Sequence, residues 1–178
     1  MTVPQTGSAL GEMLFDAQAI ADRVRDLGAR ISRDYAGRVP MLVGVLNAAA
    51  PFLADLSRAV TIPAEFDVIA VTKFRGEQGI RFEKDMAHSV EGRDVVLVED
   101  TIDTGLTMGY VVKTLRARQP ASLALCVLLD RPQRRIGELT IEYKGFDAPD
   151  VYVVGYGLDY LGRYRELPAL YAHGALAP

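Results

Sequence analysis

The sequence predicts an α/β protein, a mostly parallel sheet with helices packed on both of its faces. Short, unbroken apolar runs recur at residues 41–46 (MLVGVL), 94–98 (DVVLV) and 122–129 (SLALCVLL). Runs of this kind suit strands buried on both sides. Between them, apolar residues fall three and four apart, the spacing of a helix that buries one side. No repeat, low-complexity tract or linker divides the 178 residues, so one domain over 1–178 is expected.

The elements follow in chain order. Residues 1–11 hold glycine and proline breakers and few apolar anchors, which predicts a flexible tail. Asp16 can cap a helix whose stripe is Ile20, Val24, Leu27, Ile31 and Tyr35, closed by Gly37 and Pro40. Residues 41–46 read as a strand, and residues 48–60 as a helix that tolerates Pro51 in its first turn. Residues 66–74 (FDVIAVTKF) read as the next strand. Residues 75–85 (RGEQGIRFEKD) are polar with two glycines, which predicts an exposed hairpin or flexible lid loop. The strand at 94–98 leads through Gly105 into a helix that runs to about residue 117. After the strand at 122–129, two short strands near 139–143 and 151–154 complete the pattern.

Composition excludes several classes. Lys+Arg number 20 and Asp+Glu 23, a net charge of −3, so a duplex nucleic acid is not the expected partner. The longest apolar stretch, 39–56, is broken by Asn47, Pro51 and Asp55, so no membrane span is expected. The N-terminus lacks a charged segment followed by an apolar run, and a cytoplasmic protein is the expectation. A single cysteine, Cys126, excludes an intramolecular disulfide and a multi-cysteine metal site, and it reads as a core residue. The two histidines make no ligand spacing: His88 is expected to face solvent and His173 to lie in a tail.

The most informative segment is 95–107 (VVLVEDTIDTGLT). An apolar strand ends in Glu99 and Asp100, a short loop over 101–106 follows, and a helix opens. Ligands of open parallel sheets sit beyond the carboxyl ends of strands. Asp103, Thr104, Gly105 and Thr107 suit a monophosphate cradle. Gly105 admits close backbone approach, free N–H groups at the helix start face the anion, and two hydroxyls add donors. Asp103 should turn away from a phosphate, toward the reacting centre. The adjacent carboxylates Glu99 and Asp100 call for hydroxyl donors or a divalent cation, and a sugar diol with Mg²⁺ satisfies both. Taken singly, each of these residues is also an ordinary cap or a solvated acid.

This segment resembles the ribose-phosphate signature of type I phosphoribosyltransferases, in particular of the hypoxanthine-guanine phosphoribosyltransferase family. Residues 151–168 (VYVVGYGLDYLGRYRELP), 128–135 (LLDRPQRR) and 33–46 (RDYAGRVPMLVGVL) are similar to further segments of that family. The resemblance spans about residues 12–170. It implies the type I fold, a central mostly parallel sheet flanked by helices, with a small hood and a flexible lid loop. It also implies transfer of ribose 5-phosphate from phosphoribosyl pyrophosphate to N9 of a 6-oxopurine, with Mg²⁺ as cofactor and a homodimer or homotetramer as the assembly.

Residue by residue, the resemblance places the ribose and its Mg²⁺ on Glu99 and Asp100. The 5-phosphate falls on the loop of Thr101, Ile102, Asp103, Thr104, Gly105, the Leu106 backbone and Thr107. Asp103 matches the general base beside purine N7. Arg131, a stacking Tyr152 and the Val153 backbone match the base site. Asp159 matches the ligand of a second Mg²⁺, and Arg165 matches a pyrophosphate-binding arginine. Gly155, Tyr156 and Gly157 do not form a dinucleotide fingerprint, because Tyr160 stands where a third glycine is needed.

Three departures qualify the match. The family's pyrophosphate loop reads Leu-Lys-Gly, with a non-proline cis peptide at its first bond; here it is Leu46, Asn47 and Ala48. The family's oxo-reading lysine is Arg131. Its lid Ser-Tyr is Lys73 and Phe74, and Lys73 or Arg75 could supply the charge that Asn47 lacks. Two other readings stay open: a phosphoribosyltransferase with shifted base preference, toward xanthine or another purine, and a non-catalytic regulator that senses phosphoribosyl pyrophosphate, for which the acidic balance argues against RNA as a partner.

Overall fold

The computed structural model describes residues 10–73 and 80–174. Six strands form the main sheet: β2 (Met41–Leu46), β3 (Glu65–Lys73), β4 (Ile80–Lys84), β5 (Asp94–Ile102), β6 (Ser122–Asp130) and β7 (Tyr143–Asp147). Their order is β4-β3-β2-β5-β6-β7, all parallel except β4, which pairs antiparallel with β3. The helices are α1 (Ala17–Asp34), α2 (Ala50–Ala59) and α3 (Leu106–Arg116). A second, antiparallel sheet joins β1 (Leu10–Phe15), β9 (Leu170–His173) and β8 (Tyr152–Val154), in that order. It forms the expected small hood.

The side-chain alternation of the strands sorts the core into two layers. Leu42, Val96, Val98, Cys126 and Leu128 pack on Ile20, Leu27 and Ile31 of α1 and on Phe52 and Leu56 of α2. Met41, Val43, Val45, Val95, Leu97 and Val127 pack on Met108, Val111 and Leu115 of α3. Both faces of the central strands are therefore covered, as their unbroken apolar runs require. α1 starts where expected: Asp16 Oδ1 accepts from Ala19 N at 2.7 Å, and its five predicted apolar positions are all buried.

Strand order reverses beside β2, because β3 lies on one side of it and β5 on the other. The loops leaving β2 and β5 thus flank a crevice at the carboxyl edge of the sheet, where such folds bind ligands.

Several expectations are corrected. Leu10 and Gly11 belong to β1 rather than to a tail, because the edge of β9 gives them a partner. β5 continues through Asp100 to Ile102, paired to β6 up to Asp130, so the loop is shorter than 101–106. The strand expected near 139–143 begins at Tyr143. There Glu142 takes the head of the ladder, its N donating to Leu125 O (3.1 Å) while its carboxylate accepts from Leu125 N (2.8 Å). His173 is no tail residue. It sits in β9, 5% exposed, with its ring 4.3 Å from that of Tyr160. The predicted hairpin at 75–85 is represented by β4, while Phe74, Arg75 and the Lys73 side chain lie outside the described residues.

α2 is held by Phe52, which is fully buried. Phe52→Ala should lower unfolding free energy by about 3–5 kcal/mol, read by urea denaturation, because the two core layers leave little room to collapse onto the cavity.

Candidate active site

A cavity of about 660 Å³ opens at the carboxyl edge of the sheet. It is lined by Leu46, Asn47 and Ala48 after β2, by Glu99 to Gly105 and Thr107 along β5 and the turn into α3, and by Arg131 after β6. Tyr152, Val153, Asp159 and Arg165 close it from the hood side. Of the predicted site residues, two are missing from this lining. The Leu106 side chain points to solvent, as a residue expected to act through its backbone can; the Lys73 side chain lies outside the described residues. Thr72, Met108 and Leu158 also line the cavity. They carry no chemical signature in the sequence, and only their adjacency to the lid, the turn and the hood segment could have flagged them.

The turn into α3 is built for an anion. Gly105 stands at the helix N-cap position with φ 79° and no side-chain cap follows it. The nearest substitute is a long contact from Leu106 N to Thr104 Oγ1, 3.4 Å. The first-turn N–H groups therefore remain available, and they carry the positive end of the helix dipole. A Cβ on Gly105 would stand 2.9 Å from Arg135 Cδ, so the position requires glycine for space as well as for backbone angle.

Asp103 and Arg131 meet directly. Arg131, 4% exposed, donates from Nη1 to Asp103 Oδ1 at 3.1 Å and from Nη2 to Val151 O at 2.7 Å. Arg134 Nη1 lies 3.8 Å from Asp103 Oδ2. The arginine expected to face a base thus already holds the acid expected to face the same base. In the sequence, Arg134 has no role beyond its place in the segment 128–135.

On the hood side, Tyr152 donates from its hydroxyl to Asp159 O (3.0 Å) and meets Tyr160 edge-on at 5.7 Å. Arg165 pairs with Asp159 at 2.7 Å and donates to Gly157 O at 2.6 Å. The Leu46–Asn47 peptide bond is cis.

Residues 11–161 match the profile of the family described as phosphoribosyl transferase domain. The chain belongs to the phosphoribosyltransferase family. The hypoxanthine-guanine phosphoribosyltransferase of Bacillus subtilis is 39% identical over 173 residues, 94% of this chain and 93% of that one. A crystal structure of a hypoxanthine phosphoribosyltransferase from Staphylococcus aureus superposes with a TM-score of 0.88 at 35% identity, covering 92% of this chain and 91% of that one. The hypoxanthine-guanine phosphoribosyltransferase of Bacillus anthracis, with HEPES in its active site, gives 0.89 at 32% identity over 93% and 98%.

In this phosphoribosyltransferase the acid pair is electrostatically incomplete. Burial pushes the Glu99 carboxyl well above the usual range, and the neighbouring Asp100 charge adds to it. Burial raises Asp100 to about 6, partly opposed by hydrogen bonds from its own backbone and from Thr101 and by the Arg165 charge. Glu99 Oε2 is buried with no hydrogen-bond partner. The acid pair, an all-oxygen set, fits a hard divalent cation. Among the described residues no three His, Cys, Asp or Glu side chains converge, so Glu99 and Asp100 are the side chains that would hold such a cation here.

A raised acid binds protons in the folded state that the unfolded chain has released, so it costs stability as pH rises through the window between the two. Without divalent cations, Asp100→Asn should match the parent near pH 4 and exceed it above pH 6 by about 2–3 kcal/mol, read by denaturation across pH. Parallel stability curves would contradict the burial argument.

Proposed function

We propose that this chain is a purine-salvage enzyme that transfers ribose 5-phosphate from phosphoribosyl pyrophosphate to N9 of hypoxanthine or guanine, giving IMP or GMP and pyrophosphate. The observation that carries this reading is the meeting, in one cavity, of the Asp-Thr-Gly turn at the start of α3, a half-buried acid pair and the Tyr152 ring. The names of the Bacillus subtilis and Bacillus anthracis relatives support it.

The chemistry follows from charge. The bond from C1 of the ribose to pyrophosphate breaks, a bond to N9 forms, and the purine proton leaves. Glu99 and Asp100 face the ribose hydroxyls, and their negative charge favours the cationic sugar that develops. The N–H groups of the turn, with Thr104 and Thr107, hold the 5-phosphate. Asp103 accepts the purine proton, and Arg131 keeps its carboxylate aimed. Tyr152 stacks on the base and the Val153 backbone reads its edge. Glu99 and Asp100 would hold one Mg²⁺ and Asp159 a second; the ions would neutralise the departing pyrophosphate. Arg165 and Asn47 contact that group, and Lys73 at the end of β3 is the candidate replacement for the loop lysine. We read the chain as one domain, a homodimer or homotetramer, with small-molecule rather than nucleic-acid partners. No helix among the described residues is long and apolar enough to cross a membrane.

A shifted base preference is favoured by one observation: Arg131 is already shared between Asp103 and Val151 O. Turnover of hypoxanthine, guanine and xanthine side by side with phosphoribosyl pyrophosphate and Mg²⁺ tests both readings. The first expects IMP and GMP formation, abolished by EDTA and reduced about 10²–10⁴-fold by Asp103→Asn. Faster turnover of xanthine favours the second, and no turnover of any base contradicts both.

A further inference from the structure

Tyr156 has an unusual backbone. It and its neighbours Gly155 and Gly157 form three consecutive residues with positive φ, 100°, 47° and 99°. Two are glycines, which adopt that region freely; a bulky side chain there is rare and persists where its surroundings hold it. The Tyr156 ring is buried, 8% exposed, and its hydroxyl donates to Asp55 Oδ2 on α2 at 2.6 Å. Asp55 also pairs with exposed Arg58 one turn on.

This turn touches the parts of the cavity assigned to pyrophosphate. Gly157 packs on the loop after β2 so closely that a Cβ would stand 2.1 Å from Ala48 O and 3.0 Å from Pro51 Cδ. Gly157 N donates to Arg165 O at 3.0 Å, and Arg165 Nη1 donates back to Gly157 O at 2.6 Å. Residues 46–48 lead straight into α2. Gly157 thus packs on the loop directly, and the Tyr156–Asp55 hydrogen bond ties the same turn to α2, the helix that the loop leads into.

We propose that Tyr156 is a positioning residue for pyrophosphate: its hydrogen bond to Asp55 fixes α2 and the loop at residues 46–48 against Arg165. The proposal rests on the phosphoribosyl pyrophosphate reading above. It assigns Tyr156 no contact with substrate. The ring supplies the buried anchor that holds the strained turn, and the hydroxyl supplies the link to α2. The bond is part-buried, with the Tyr156 ring inside and the Asp55 side chain 41% exposed, and its charged acceptor makes it one of the stronger kinds.

The experiment is steady-state kinetics on the full chain with both substrates varied, together with calorimetric titration of Mg²⁺-phosphoribosyl pyrophosphate. Tyr156→Phe removes only the hydroxyl. It should raise KM and Kd for phosphoribosyl pyrophosphate about tenfold and leave KM for hypoxanthine unchanged. Asp55→Ala should reproduce that shift, should Tyr156→Phe not fold, and Asp55→Asn, which keeps an acceptor oxygen, should restore parent values. The double change of Tyr156→Phe with Asp55→Ala should be no worse than either alone. Unchanged phosphoribosyl pyrophosphate affinity in both single variants, or equal loss for both substrates, would overturn the positioning role. A parent protein with no turnover and no binding would instead overturn the functional reading beneath it.

Discussion

The N–H groups that open α3 have no side-chain cap beyond the long contact from Leu106 N to Thr104 Oγ1, and the rest of the cavity surrounds the place where an anion would satisfy them. Gly105 makes this possible by carrying a left-handed backbone and by leaving room for the Arg135 stem. β5 delivers the turn to the carboxyl edge beside the point where strand order reverses. The helix dipole then favours a phosphate there. Glu99 and Asp100, near the end of β5, line the same cavity, and Tyr152 and Val153 of the hood close its far side.

Around this anchor the charges divide into paired and unpaired sets. Asp103 is held by Arg131, with Arg134 nearby, and Asp159 is held by Arg165. Among the described residues Glu99 and Asp100 form no ion pair, and burial pushes both toward their neutral forms. The paired acids are ready to act as oriented acceptors. On the proposed reading, the unpaired acids are where a divalent cation and the developing sugar cation would be stabilised. The Arg131 pairing also gives the lysine-to-arginine departure a physical sense, since a planar fork can hold an acid and a carbonyl at once.

Much of the fold was legible because the central strands are apolar on both faces and α1 carries a clean stripe with its Asp16 cap. The turn was legible because acid-acid strand ends followed by Asp-Thr-Gly leave few other uses for those residues in that order. What escaped has identifiable causes. β1 and β9 are short and pair only with each other and β8, so neither shows an alternation of its own. Tyr143 heads β7 because Glu142 bridges to Leu125 with its side chain, a contact no periodicity encodes. The Arg131 contact to Asp103 joins residues 28 apart in sequence, and the Tyr156 contact to Asp55 joins residues 101 apart. Such long-range pairs depend on tertiary placement.

The most direct test of the central claim is a crystal structure of the protein with IMP and Mg²⁺-pyrophosphate. The account predicts the 5-phosphate within hydrogen-bond distance of the backbone nitrogens of Gly105, Leu106 and Thr107, and the ribose hydroxyls on Glu99 and Asp100. A nucleotide seated elsewhere, with this turn holding only water at saturating ligand, would contradict it.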